Sequence, residues 1–284
     1  MSTTTPSPTP VAPGPAALSE RQRREIDYHK AHAEKRAHLA EQPVAFDVVD
    51  DRERRWWNAY WSVYDILLRH DLEGKRVLLP GCGFGEDAVR LARLGAEVYA
   101  FDISPEIVEV ARHRLRHLKV EGVTLQVMAI EAVQHEDAFF DYAFFLDILH
   151  HVDIPRAATE IERVLKPGGW LIGDELYTHS FVQKNIRESR LVDRFLYRRM
   201  HDYIYDTEHS YITEDEKKID EQDLQVIERL CARFEKSYYN SLTGRFFPDR
   251  HDGLSRFDRL ATRAIGSMGR FTAGRVVFEG RLPA

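Results

Sequence analysis

The chain has 284 residues with 40 basic and 46 acidic side chains, a formal charge of −6. This balance excludes the basic surface that a nucleic-acid binder needs, and no apolar run approaches the roughly 18 residues of a membrane span. Two cysteines, Cys82 and Cys231, exclude a disulfide scaffold. The N-terminus lacks the basic and apolar regions of a signal peptide, so the expectation is a cytoplasmic protein.

Residues 1–17 are Thr, Ser, Pro, Ala and Gly apart from Met1 and Val11, a composition that builds no core and predicts a disordered tail. Residues 18–72 are expected to form a helical N-terminal cap. Its first helix runs from Leu18 to Lys35 with Ser19 as N-cap. Its second spans 51–70, where Trp56, Trp57, Tyr60, Trp61, Val63, Tyr64, Leu67 and Leu68 cover more than one face. That width suits a cap or, equally, the face of a homodimer.

From residue 73 onward strands alternate with helices. Strands are expected at Val77–Leu79, Glu97–Phe101, Thr124–Met128, Tyr142–Leu146 and Trp170–Asp174. Helices are expected at Glu86–Leu94, Ser104–His117 and Ile154–Leu165, with Gly95 and Pro167-Gly168-Gly169 as stops. Such alternation predicts a doubly wound, mostly parallel sheet. It lapses over about 176–223, read as a helical lid. There a helix over 181–200 aligns Arg187, Arg190, Arg194 and Arg198, and Thr213–Glu216 reads as a capping box. Strands resume at Lys236–Leu242 and Arg275–Arg281, the last beside an earlier strand.

Two features carry chemistry. Pro80, Gly81, Cys82, Gly83 and Gly85 form a Gly-rich turn between strand and helix, where backbone approaches a ligand and free N–H groups point at it. Asp102 ends the next strand, where a carboxylate reaches ribose hydroxyls. The spacing G-x-G-x-G differs from the dinucleotide pattern G-x-G-x-x-G.

The stretch VLLPGCGFGEDAVRLARLGAEVYAFDIS resembles the class I S-adenosylmethionine-dependent methyltransferases, in particular the small-molecule branch called methyltransferase type 11. FFDYAFFLDILHHV, ERVLKPGG and WLIGDE extend the likeness in order, over about residues 73–175. The resemblance implies a Rossmann-like, seven-stranded α/β fold, S-adenosylmethionine as cofactor and a small-molecule methyl acceptor as partner. It implies that Gly81, Gly83 and Gly85 line the methionyl part, Asp102 holds the ribose, and Ile103, Met128, Ala129 and Ile130 edge the adenine. Leu146 and Asp147 would border the sulfonium. Two departures stand out. Leu79-Pro80 replaces the acid that usually ends the first strand, and Met128-Ala129 supplies no acid to the adenine.

A general base, where the acceptor needs one, is sought among His150 and His151 after the fourth strand, with Glu175 and Tyr177 after the fifth. Trp57, Tyr60, Trp61, Tyr64, His179 and Phe181 are the candidate acceptor wall, joined by Phe195, Tyr197, Tyr203 and Tyr205 in the lid. An aromatic lining suits a flat, mostly apolar metabolite, methylated on oxygen or carbon. The alternatives are carbon methylation of an isoprenoid diphosphate or quinone, the former using Mg²⁺ and the arginine row, and a cofactor-binding protein without turnover. No metal site is expected otherwise; His29, His32 and His38 read as part of a charged helix.

Overall fold

The computed structural model describes residues 18–182, 218–245, 247 and 251–284. Helix α1 (Glu20–Arg36) opens on a capping box, the Ser19 hydroxyl accepting from Gln22 N while the Gln22 side chain accepts from Ser19 N. After the short α2 (Asp47–Asp50), the expected single helix over 51–70 is instead two: α3 (Arg52–Trp57) and α4 (Ser62–Leu67). Asn58 makes the break. Its backbone is extended, and its Oδ1 accepts the N–H groups of Tyr60 and Trp61 at 3.0 and 3.2 Å, offering the chain an alternative to helical bonds. The wide apolar surface is thereby divided, with Trp57, Val63, Tyr64 and Leu67 turned into the core and Trp56 and Tyr60 left outside.

Seven strands form one sheet: β1 (Arg76–Pro80), β2 (Glu97–Asp102), β3 (Val123–Val127), β4 (Phe140–Leu146), β5 (Leu165–Leu176), β6 (Arg233–Tyr239) and β7 (Arg275–Arg281), in the order β3-β2-β1-β4-β5-β7-β6. The first five are parallel, and β7 runs antiparallel between β5 and β6. Two boundaries differ from expectation. β5 starts at Leu165 because that residue already pairs with Phe140, so Pro167-Gly168-Gly169 is absorbed as an irregularity within the strand. β6 lies three residues earlier than expected, ending before Asn240, whose φ of 53° turns the chain.

Helices α5 (Glu86–Arg93), α6 (Pro105–His117), α7 (Ile154–Val164), α8 (Glu221–Glu228) and α9 (Asp252–Ile265) complete the described architecture. Strand side chains alternate between two cores, as the twofold period of a strand requires. Leu78, Phe145 and Phe278 join Ile161 of α7 and Leu224 of α8, whereas Val77, Leu79, Phe144 and Val277 join Leu91 of α5 and Leu67 of α4. The order reverses at β1, which is flanked by β2 and β4; this opens a crevice at the carboxyl edge where doubly wound sheets take their ligands.

The arginine row 187–198, the lid aromatics Phe195, Tyr197, Tyr203 and Tyr205, and the capping box at Thr213 lie outside the described residues.

Candidate active site

The crevice is a pocket built from four strand ends and one helix. Pro80, Gly81 and Gly83 line it after β1, Phe101, Asp102 and Ile103 after β2, Met128 to Glu131 after β3, and Asp147, Ile148, His151 and Val152 after β4. Gln22, Glu25 and His29 close it from α1.

The glycines meet two different demands. Gly81 has φ +63°, and a Cβ there would lie 2.6 Å from Ile148 Cδ1; Gly83 has φ +48°, and a Cβ there would meet nothing within 4 Å. Gly81 thus serves close packing, while Gly83 leaves open room against bare backbone. Gly81→Ala is expected to lower stability by roughly 1–3 kcal/mol through its left-handed backbone and to weaken cofactor binding by displacing Ile148, readable together by thermal unfolding and calorimetry. Gly85 is the left-handed N-cap of α5, facing Ala111. Cys82 is buried with its thiol pushed well above the usual range by desolvation, and Leu146 packs on the core. These three are not among the residues lining the pocket.

Asp102 is buried, and its Oδ1 accepts Ser104 N at 3.0 Å. Burial pushes its carboxyl up, while His29 and the backbone N–H groups of Ser104, Gly83 and Ile103 pull it down. Reciprocally, burial lowers His29, and Asp102 and Glu25 oppose that shift. His29, part of the charged helix of the sequence, belongs to the pocket wall, on the face it shares with Gln22 and Glu25 at helical spacing.

Helix α1 is latched to the β4–α7 loop. Arg21 donates to His150 O at 2.8 Å and Val152 O at 3.3 Å, and Gln22 Nε2 donates to Glu131 Oε2 at 3.1 Å. Glu131 is an acid in the pocket that the sequence reading did not count. His151 Nδ1 lies 3.3 Å from Glu25 Oε1, and Glu25 Oε2 lies 3.6 Å from His29 Nε2. A carboxylate only accepts, so the contact places a proton on His151 Nδ1.

His150 and His151 divide their roles. His150 is buried, with Nδ1 2.9 Å from Glu175 Oε2; only His151 of the two lines the pocket. Glu175 is fully buried, and its Oε1 accepts Ile148 N and Leu149 N, each at 2.8 Å. It anchors the loop and does not line the pocket. Tyr177 is fully buried and its N–H donates to Gly274 O at 2.9 Å; burial raises its hydroxyl far above the usual range.

Beside Asp147 the edge continues as a charged cluster. Arg275 donates to Asp147 Oδ1 at 2.8 Å and Asp174 Oδ1 at 3.0 Å, and its guanidinium lies 4.2 Å from the half-exposed ring of Tyr60. Burial pushes Asp174 up to about 7 although Arg275 pulls it down. Asp147, His150 and Glu175 offer three ligand atoms within 4.8 Å. Each is already engaged, Asp147 by Arg275 and the other two by one another.

Among the expected acceptor residues, Tyr64 is a core residue whose hydroxyl donates to Asp87, and Trp57 is buried between Arg54 and Arg256. Trp61 is half-buried under Arg54. His179 packs on Phe271 at 4.5 Å and accepts Phe181 N on Nδ1 at 3.2 Å, while Phe181 is exposed.

The pocket residues fit the implied cofactor: open backbone at Gly83, a buried carboxylate at Asp102, and the apolar rims Ile103, Met128 and Ile130. Residues 78–173 match the family model described as a methyltransferase domain. The ubiquinone biosynthesis O-methyltransferase of Alkalilimnicola ehrlichii is 35% identical over 136 residues, covering 43% of this chain and 55% of that protein. The protein of the same name from Paraburkholderia phymatum is 35% identical over 183 residues, covering 57% of this chain and 75% of that one. The chain belongs to the class I S-adenosylmethionine-dependent methyltransferases. It spans about half the length of the first curated relatives it matches. The fold is shared with phosphoethanolamine N-methyltransferase 2 of Haemonchus contortus, at 19% identity, a TM-score of 0.55, and coverage of 96% of this chain and 62% of that one. Within this methyltransferase no described helix is long and apolar enough to cross a membrane.

Proposed function

We propose that the protein transfers a methyl group to a hydroxyl oxygen of a small, mostly apolar aromatic metabolite. The observation that carries the reading is His151, which lines the pocket and is oriented there by the Glu25 carboxylate 3.3 Å from its Nδ1. When bound, S-adenosylmethionine supplies an electrophilic methyl group, and this chain's residues do the rest. Asp102 would hold the ribose, Gly81 and Gly83 the methionyl part, and Met128, Ala129 and Ile130 the adenine. Glu25 orients His151, and Glu175 with His150 keeps the loop that presents it. Tyr60, Trp61, His179 and Phe181 remain the acceptor wall of this reading. The curated relatives' own name, O-methyltransferase of ubiquinone biosynthesis, supports an oxygen as nucleophile. The acidic balance supports an enzyme without a nucleic-acid partner.

The test is methyl transfer to a catechol ring bearing an apolar tail, for wild type and His151→Gln. General-base removal costs roughly 10²–10⁴-fold in kcat, so the variant should lose that much while retaining affinity for S-adenosylhomocysteine. Binding of S-adenosylhomocysteine without transfer to any phenol would favour a cofactor-binding protein without turnover. Equal kcat in wild type and variant would remove His151 from the mechanism.

A further inference from the structure

Helix α9 is docked the wrong way round for an ordinary surface helix. The face it buries is polar: Ser255, Asp258 and Thr262. Asp258 accepts Ser241 N at 3.0 Å and Gly244 N at 3.1 Å, and Arg259 donates to Tyr238 O at 3.0 Å while covering the Tyr239 ring. These hydrogen bonds attach the helix to the end of β6 and free its apolar residues to face outward. Leu254, Phe257, Ala261 and Ala264 recur at the helical period, with Leu260, Ile265 and Met268 beside them. Phe257, Leu260 and Met268 are 55, 56 and 61% exposed. An apolar stripe of this kind marks a contact surface.

The charges along the stripe select the partner. Arg256 and Arg263, seven residues apart, run along one border, and Arg270 lies in the 3₁₀ segment Gly266–Phe271 that follows the helix; all three are exposed. Between 251 and 271 the acids are Asp252 at the helix start and the buried Asp258. Glu53 pairs with Arg256 at 2.8 Å. On a chain of net charge −6, the segment 251–271 thus carries four arginines against two acids. A second copy would set two like-charged borders together with no acid on the stripe to answer them. We propose that α9 is a peripheral docking surface for an anionic lipid bilayer, its apolar stripe entering the headgroup boundary and its arginines meeting lipid phosphates. The proposal is independent of the reading of the active site.

The experiment is sedimentation of the full chain with phosphatidylcholine vesicles and with mixed phosphatidylcholine–phosphatidylglycerol vesicles, alongside light scattering and thermal unfolding. Wild type should bind the mixed vesicles more tightly, less so at high salt. Phe257→Glu with Leu260→Glu should lower partitioning by roughly tenfold or more without lowering the thermal midpoint, because both side chains are exposed. Arg263→Glu with Arg270→Glu should cost roughly fivefold or more per arginine on anionic vesicles and little on neutral ones. Absence of wild-type binding to mixed vesicles would overturn the proposal. So would a wild-type dimer that the Phe257/Leu260 variant dissolves, which would identify a second copy as the occupant. A lowered midpoint in that variant with unchanged vesicle binding would assign the stripe to another part of this chain and equally overturn it.

Discussion

Asp102→Ala should abolish measurable binding of S-adenosylhomocysteine while leaving the fold intact. Two hydrogen bonds from ribose hydroxyls to a carboxylate, each worth about 1.5–3 kcal/mol, set the expected loss at roughly 10²–10⁴-fold. The stability expectation is different. Asp102 is buried, and burial holds its carboxyl above the ordinary value despite His29 and three backbone N–H groups. A group whose folded pKa is raised favours its protonated form in the native state. Its contribution is present below the unfolded value and lost as pH rises through the folded one. The desolvation of the carboxyl thus stands against the hydrogen bond it accepts from Ser104 N, and its removal should change the thermal midpoint little. Titration calorimetry and thermal unfolding on the same variant measure both effects. Wild-type affinity in Asp102→Ala would refute the ribose assignment, whereas joint loss of affinity and midpoint would mean that Asp102 is simply structural.

Glu175→Ala should have the largest effect on stability. Its carboxylate accepts Ile148 N, Leu149 N and His150 Nδ1 within 2.9 Å, in an environment without solvent. Alanine leaves two backbone donors and an imidazole without their acceptor, and opens a cavity beneath the loop. Breaking a buried, hydrogen-bonded pair costs about 3–5 kcal/mol, or roughly 6–20 °C in midpoint for a chain of this size. Glu175→Gln retains one carbonyl oxygen for the two backbone N–H groups and should recover much of that loss. Because the loop carries Asp147 and His151, surviving Glu175→Ala protein should also show reduced kcat. A midpoint within about 2 °C of wild type would contradict the anchoring role.

Much of the fold is legible because its signals are local. The β1 strand, Gly81 to Gly85, the α5 helix and Asp102 follow within 27 residues of one another, so periodicity and spacing suffice to read them in order. The break at Asn58 was also encoded locally, in a side chain that competes for backbone donors, but the run of aromatic residues outweighed it. Histidines were harder. His150 and His151 are adjacent in sequence, yet one faces Glu175 in the core and the other faces Glu25 at the pocket. Nothing in the dipeptide itself separates the two roles.

By itself the sequence determined the sheet, the Gly-rich turn and the carboxylate at the end of β2, because each depends on residues close along the chain. Tertiary structure alone decided what faces them. Glu25 reaches His151 across 126 residues, Arg275 reaches Asp147 across 128, and Arg21 reaches His150 across 129. The physical reason is that a side chain's charge state and role depend on its neighbours in space. Those neighbours are chosen by the packing of α1 against the sheet edge and the pairing of β7 beside β5, which no local period records.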